Sequence, residues 1–147
     1  MTHYEGLSME GFAVPAGVPR GPNCGVTAVA VLTGKSFADV WEAFRAICNK
    51  GPRWEGLTSR KERDAVCNSF GFDVKHVRMM RKPSLHVFTK MAAVSNVGPL
   101  LVRTGGHVQV IWNNHALDQS GVKPIGEYWG RNKRVSEFSK VTRRLAT

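Results

Sequence analysis

A chain of 147 residues is long enough for one domain with its own core and does not need a second. Its 42% apolar and 22% charged residues match ordinary globular proteins and exclude a disordered chain, while the longest apolar run, Val26 to Leu32, is too short to cross a bilayer. The net charge of +10 invites an acidic partner, but the basic residues are scattered without interleaved aromatics or a nucleic-acid motif. A solvated basic surface is the plainer reading, and nucleic acid as a partner has weak support.

Met1 to Glu5 lacks the basic and apolar regions of a signal peptide, so a cytoplasmic protein is expected, without a membrane partner. The three cysteines, Cys24, Cys48 and Cys67, form an odd set without a C-x-x-C pair. Neither a disulfide framework nor a metal site is indicated, and no cofactor motif is present. Cys48 and Cys67 fall in helical patterns and read as buried packing residues.

Residues 1–22, rich in Gly and Pro from Gly11 to Pro22, form an extended lead-in to a single domain spanning 1–147. Asn23-Cys24-Gly25 then opens a small apolar run that reads as a helix ending at Thr33-Gly34. Ser36 and Asp39 cap a second helix with Phe37, Val40, Trp41, Phe44 and Ile47 on one face, ending before Gly51. Thr58 is the expected cap of a third, running through Val66 and Phe70 to Gly71. Phe72, Val74 and Val77 mark a strand, and a short helix is expected around Val87 to Ser95. Three strands follow, Leu100 to Arg103, His107 to Trp112 and His115 to Asp118. Val135 and Phe138 mark a final edge strand in the least readable part of the chain. Helices first and a strand meander second define an α+β domain, with N-terminal helices packed on a C-terminal antiparallel sheet.

A cysteine at the start of a helix lies at the positive end of the helix dipole, beside unsatisfied N–H groups that favour a thiolate. The candidate partner is His107, preceded by Gly105-Gly106. If Asn113-Asn114 forms a two-residue turn, Trp112 pairs with His115, Ile111 with Ala116, Val110 with Leu117 and Gln109 with Asp118. His107 and Asp118 then share one face, while Val108, Val110, Trp112 and Leu117 face the core. Slipping the register by one residue would send Asp118 to the core side. Cys24, His107 and Asp118 thus have the makings of a nucleophile, a base and an orienting acid for acyl transfer. Asn113 reads as a turn residue, and His3, His76, His86 and His115 as surface or packing residues.

The block Asn23 to Ala28 with Thr33-Gly34-Lys35-Ser36-Phe37 behind it, and Leu100 to His107 with Asn114 to Asp118 ahead, resembles the small papain-like cysteine peptidase-type proteins of phage and bacterial genomes, which are related to bacteriocin-processing peptidases. The resemblance covers about two thirds of the chain, Asn23 to Asp118. It implies a papain-like fold, a phage origin, and Cys24, His107 and Asp118 as nucleophile, base and orienting acid. The family's glutamine, six residues before the cysteine in the oxyanion hole, is replaced by Val18. The backbone N–H of Cys24 and the Asn23 side chain are the candidate substitutes. The leading expectation is a hydrolase of a peptide or isopeptide bond in a peptide or protein substrate, acting in the bacterial host cytoplasm. The rival is a non-catalytic phage structural or host-binding protein, virion-associated, with its basic surface on DNA, acidic proteins or phage structural proteins. A deamidase or transglutaminase would use the same three residues.

Overall fold

In the computed structural model, which describes residues 3–4, 7–8, 23–91 and 98–145, the chain opens with two short antiparallel strands. These are β1 (His3–Tyr4) and β2 (Leu7–Ser8), paired His3 to Ser8 and Tyr4 to Leu7. The extended lead-in expected from the sequence thus contains a small ribbon, whose two-residue strands are too short to show an alternating pattern. Val18 lies outside the described residues.

Helix α1 (Cys24–Thr33) has small or β-branched residues almost throughout, and all but Cys24 and Leu32 are buried. A helix apolar on all sides must be enclosed by two partners. On one side Val26, Val29 and Ala30 pack on Phe37, Val40, Trp41 and Phe44 of α2 (Phe37–Ile47) and on Val66 and Cys67 of α3 (Arg60–Ser69). On the other, Ala28 and Val31 pack on Leu101, Val108, Val110 and Leu117 of the sheet. Gly34 stops α1 in the left-handed region at φ 73°, its N–H donating to the Ala30 carbonyl at 3.0 Å.

Ser36 caps α2 as expected, its Oγ accepting the Asp39 N–H at 3.1 Å. The cap of α3 is Ser59, not Thr58. Ser59 Oγ accepts the Glu62 N–H at 3.2 Å and Glu62 Oε1 accepts the Ser59 N–H at 2.9 Å, so both ends of a capping box are made. Thr58 is instead turned to Arg63. Cys67 is buried as expected, whereas Cys48 follows α2 as its C-cap and is only half-buried.

The sheet is antiparallel throughout. Its strands are β3 (Phe72–Arg78), β4 (Leu100–Thr104), β5 (His107–Trp112), β6 (His115–Asp118), β7 (Gly121–Pro124) and β8 (Glu137–Arg143), in the order β3-β8-β4-β5-β6-β7. The final strand is thus not at an edge. β8 runs between β3 and β4, and Val135, expected within it, is buried just before it. Its position depends on pairing with strands far back in the chain, which no local pattern specifies. β7, unmarked in the sequence, forms one edge.

The far face of the sheet is also covered. Leu85 and Phe88 of α4 (Leu85–Phe88), with Ile125, Tyr128 and Val135, pack on Leu100, Val102, Ile111 and Ala116. The short helix expected near Val87 to Ser95 is α4, which starts earlier; residues 92–97 lie outside the described residues.

The loop before α3 holds the start of α1 in place. Gly56 has φ 109°, and a Cβ there would stand 2.9 Å from Asn23 Cβ and 3.2 Å from the Trp41 ring. Gly56→Ala is expected to lower the unfolding free energy by about 1–3 kcal/mol, read as a reduced urea midpoint at constant slope. An unchanged midpoint would show that Asn23 is not clamped at this point.

Candidate active site

Two tight hairpins place the histidine and the aspartate. Gly105 takes φ 63° and, with Gly106, turns β4 into β5, pairing Thr104 with His107. Asn113 and Asn114 have φ 48° and 62°, both left-handed as a type I′ turn requires, and the register is Trp112 to His115, Ile111 to Ala116 and Val110 to Leu117. The expected pairing therefore holds over these residues. It puts His107 and Asp118 on one face of the hairpin and Val108, Val110 and Leu117 on the other, packed against Ala28 and Val31 of α1.

His107 Nε2 lies 3.1 Å from Asp118 Oδ2. The carboxylate is 1% exposed, and its burial alone would push the acid upward. Donors reverse that. Besides His107, Oδ2 meets the Tyr128 hydroxyl at 2.7 Å and the Trp129 indole N–H at 3.2 Å. Oδ1 accepts the Ser120 N–H at 2.8 Å and a short bond from the Ser120 hydroxyl. The acid is held far below the usual carboxylate range and is ionised at neutral pH.

Cys24, first residue of α1, is in hydrogen-bond contact with His107 and with the backbone of Val108. Since Nε2 is engaged by Asp118, the other ring nitrogen is left for the sulfur. Burial pushes the Cys24 thiol up, but the His107 bond, the Val108 N–H and the His107 and Arg63 charges outweigh it, leaving the thiol below its ordinary value. Burial likewise works against the His107 imidazolium, and the bonds and charges of Asp118 and Cys24 overcome it, raising the ring to about 9. The two groups titrate as a pair. Both shifts act toward a thiolate beside an imidazolium, a nucleophile next to a proton donor.

The structure thus brings together three of the four sequence candidates and sets Asn23 beside them. Asn23 makes no side-chain cap bond to α1, and its buried Oδ1 has no hydrogen-bond partner among the described residues. The α-helical ladder begins with Thr27 N–H on the Asn23 carbonyl at 3.0 Å, so the preceding N–H groups are not used by the helix.

Sequence reasoning missed three contributors. Tyr128 is buried, and its single proton goes to the short, charged contact on Asp118, with Gln109 Oε1 also nearby at 3.1 Å. Trp129 is 58% exposed and tilts over His107 at 5.0 Å between ring centroids. Arg63, in a helix that reads as charged and solvated, is only 8% exposed. The adjacent aromatic pair Tyr128-Trp129 was the available signal for the first two. His76, read as a surface or packing residue, joins α3 to the sheet, with Nε2 at 2.8 Å from Asp64 Oδ2 and Nδ1 at 2.5 Å from Ser139 Oγ. Ser139 is buried in β8, an interior strand, so this second Ser-His-Asp arrangement is a structural tie.

Among the described residues no group of His, Cys, Asp and Glu is placed to hold a metal, and no helix is long and apolar enough to cross a membrane.

Cys24 alkylation by iodoacetamide in a Cys48→Ser/Cys67→Ser background is expected to remain fast well below pH 7. In His107→Ala the thiol returns toward its ordinary value, and each unit of that rise removes about tenfold of the rate at pH 6. Alkylation that follows an ordinary thiol profile in both proteins would refute the ion pair.

No family model matches the chain, and no curated relative matches it. Among the solved structures that resemble it are two proteases. The peptidase domain of Streptococcus ComA, a bifunctional ABC transporter involved in quorum sensing, superposes with a TM-score of 0.57 at 14% identity, covering 86% of this chain and 97% of that one. A double-glycine-motif protease from an AMS/PCAT transporter, solved with its leader peptide, gives a TM-score of 0.53 at 14% identity, covering 93% of this chain and 97% of that one. At this identity the likeness establishes the fold alone: the chain has a papain-like α+β fold, with helices packed on an antiparallel sheet.

Proposed function

We propose that the chain is a cysteine hydrolase that cleaves a peptide bond, with Cys24 as nucleophile, His107 as proton donor and acceptor, and Asp118 as the group that orients the imidazole. The observation that carries this reading is a thiol lowered by its contact with an imidazolium that a buried carboxylate holds from behind. The leader peptide bound by the AMS/PCAT protease supports a peptide chain as the substrate class. The phage setting rests on the sequence resemblance alone.

In the first half-reaction the Cys24 thiolate adds to the substrate carbonyl carbon, and the carbonyl oxygen takes up negative charge. The Cys24 backbone N–H at the start of α1 is the first donor to that oxygen, and the Asn23 side-chain amide the second. His107 then protonates the leaving nitrogen, the C–N bond breaks, and a thioester remains on Cys24. In the second half-reaction neutral His107 takes a proton from water, which attacks the thioester. The acid product leaves and the thiolate–imidazolium pair is restored. Asp118 keeps its charge throughout and stabilises the imidazolium.

The test is incubation of the protein with a proteome-derived peptide library and mass analysis of the products. New peptide termini are expected with wild type and absent with Cys24→Ala. Conversion of glutamine to glutamate without chain cleavage would replace peptidase by deamidase, and no change of either kind would overturn hydrolysis. On a peptide so identified, Asp118→Asn is expected to lower kcat/KM by on the order of a hundredfold or more, since the imidazolium loses its counter-charge. With the Asp118 acid already ionised, the neutral-to-basic profile is governed by the pair. Activity should fall as pH rises through about 9, where His107 loses its proton, and fall again in acid as the thiolate is protonated.

A further inference from the structure

Beside the thiol lies a cavity of about 210 Å³ lined by Thr58, Ser59, Arg60, Arg63, Arg103, Gly106 and Val108. Gly106 and Val108 flank His107 in the chain, and Val108 bonds the Cys24 sulfur through its backbone. At the back of the cavity Arg63 runs along Gly25, the residue after Cys24. A Cβ at Gly25 would stand 2.0 Å from Thr58 Oγ1 and 3.3 Å from Arg63 Cδ, so only glycine lets these side chains pass so close to the nucleophile.

The charges around the cavity do not balance. Arg60 and Arg103 share one carboxylate, Glu137, at 3.1 and 3.6 Å. Asp64, next to Arg63 in sequence, is engaged by His76. Arg63 itself donates from Nη1 to the Thr58 carbonyl at 3.1 Å and to Thr58 Oγ1 at 3.2 Å, while its buried Nε has no hydrogen-bond partner among the described residues. Among the described residues no carboxylate pairs with it. Three guanidinium groups thus share one bridging carboxylate, and the most buried of the three feels the Cys24 charge more than those of Asp64 and Glu137.

A buried cation without a counter-charge is costly, and the cost changes during the proposed reaction. The thiolate compensates Arg63 in the free enzyme. Once Cys24 is acylated that charge is gone, and an anion delivered with the substrate would take its place. We propose that this cavity is a subsite for a carboxylate of the peptide substrate, held by Arg63 with Arg60 and Arg103 at the mouth. Guanidinium groups suit the task because their planar fork matches a carboxylate with two parallel hydrogen bonds. The carboxylate belongs either to an acidic side chain near the scissile bond or to a chain end.

This inference rests on Cys24 being the nucleophile, and its test separates the two. In the Cys48→Ser/Cys67→Ser background, Cys24 is alkylated with iodoacetate and with iodoacetamide, which differ mainly in the negative charge. The iodoacetamide rate reports the thiolate. The ratio of the two rates reports the subsite, and it is expected to exceed that of a free thiol such as N-acetylcysteine by about tenfold or more. The ratio should fall toward the free-thiol value in Arg103→Ala and in Arg60→Ala, whose partly exposed side chains can be removed without opening the core, and in Arg63→Gln. N-acetylglutamic acid amide and N-acetylglutamine, offered as protectants against iodoacetamide, assign the carboxylate. Protection by the first that is lost in Arg103→Ala points to an acidic side chain, and protection by the second to a chain end. Fast iodoacetamide alkylation with a free-thiol ratio and no protection by either would overturn the subsite and leave the hydrolase standing.

Discussion

The Asp118 carboxylate is the interaction around which the site is arranged. An ion so deeply buried costs several kcal/mol unless its oxygens are met by donors, and here both are. Oδ1 is satisfied within its own turn by Ser120, which fixes the carboxylate plane and leaves Oδ2 aimed at His107, Tyr128 and Trp129. Those two aromatics arrive from a segment that also covers the far face of the sheet, with Ile125 and Val135 in the same apolar cluster. The packing that closes this part of the core therefore also orients the imidazole. Loosening that cover would expose the carboxylate to water and weaken the field that holds His107 protonated.

Helix α1 supplies the other half of the arrangement. Its sulfur sits near a histidine only because the helix lies directly on β5 and β6, and that approach depends on Ala28 and Val31 meeting Val108, Val110 and Leu117. The same helix must present Val26, Val29 and Ala30 to α2 and α3. Small side chains on both sides let it be enclosed at close range, and the β-branched ones stiffen it. Helix formation by so many valines is poor in isolation, so α1 owes its stability to the enclosure. The thiol environment is consequently a property of the folded domain rather than of the local sequence around Cys24.

What could be read from the sequence follows from how local each signal is. The β5–β6 register was legible because Asn113-Asn114 dictates a two-residue turn and the alternation of apolar residues fixes the faces, so the meeting of His107 and Asp118 followed from a short stretch of chain. The caps at Ser36 and Gly34 were equally local. β8 was not, since nothing within Glu137–Arg143 says that it will lie between β3 and β4. Tyr128 and Trp129 reach Asp118 through an irregular segment without periodicity. Arg63 was hidden by its neighbours: in the run Arg60-Lys61-Glu62-Arg63-Asp64 it looks like one more solvated charge, and only the packing of Thr58 and Gly25 around it reveals the burial.

The net charge of the chain acquires a more specific meaning from that last residue. Most of the excess lies on the surface, where water and salt screen it and where it says little about partners. Three of the cations are different, because they converge beside the thiol with one shared carboxylate between them. Of these, Arg63 lowers the thiol together with the imidazolium, so ionisation of Cys24 is favoured by two cations. The carboxylate of Asp118 then has a double effect. It stabilises the imidazolium, and through the imidazolium the thiolate, while its oxygens are taken up by His107, Ser120, Tyr128 and Trp129 rather than by an arginine. Placing Asp118 nearer to Arg63 would pair those two charges and release both His107 and Cys24 toward their neutral forms. Engagement of the acid by the imidazole rather than by an arginine is thus the condition under which a strongly basic protein can favour a thiolate beside an imidazolium and a buried guanidinium.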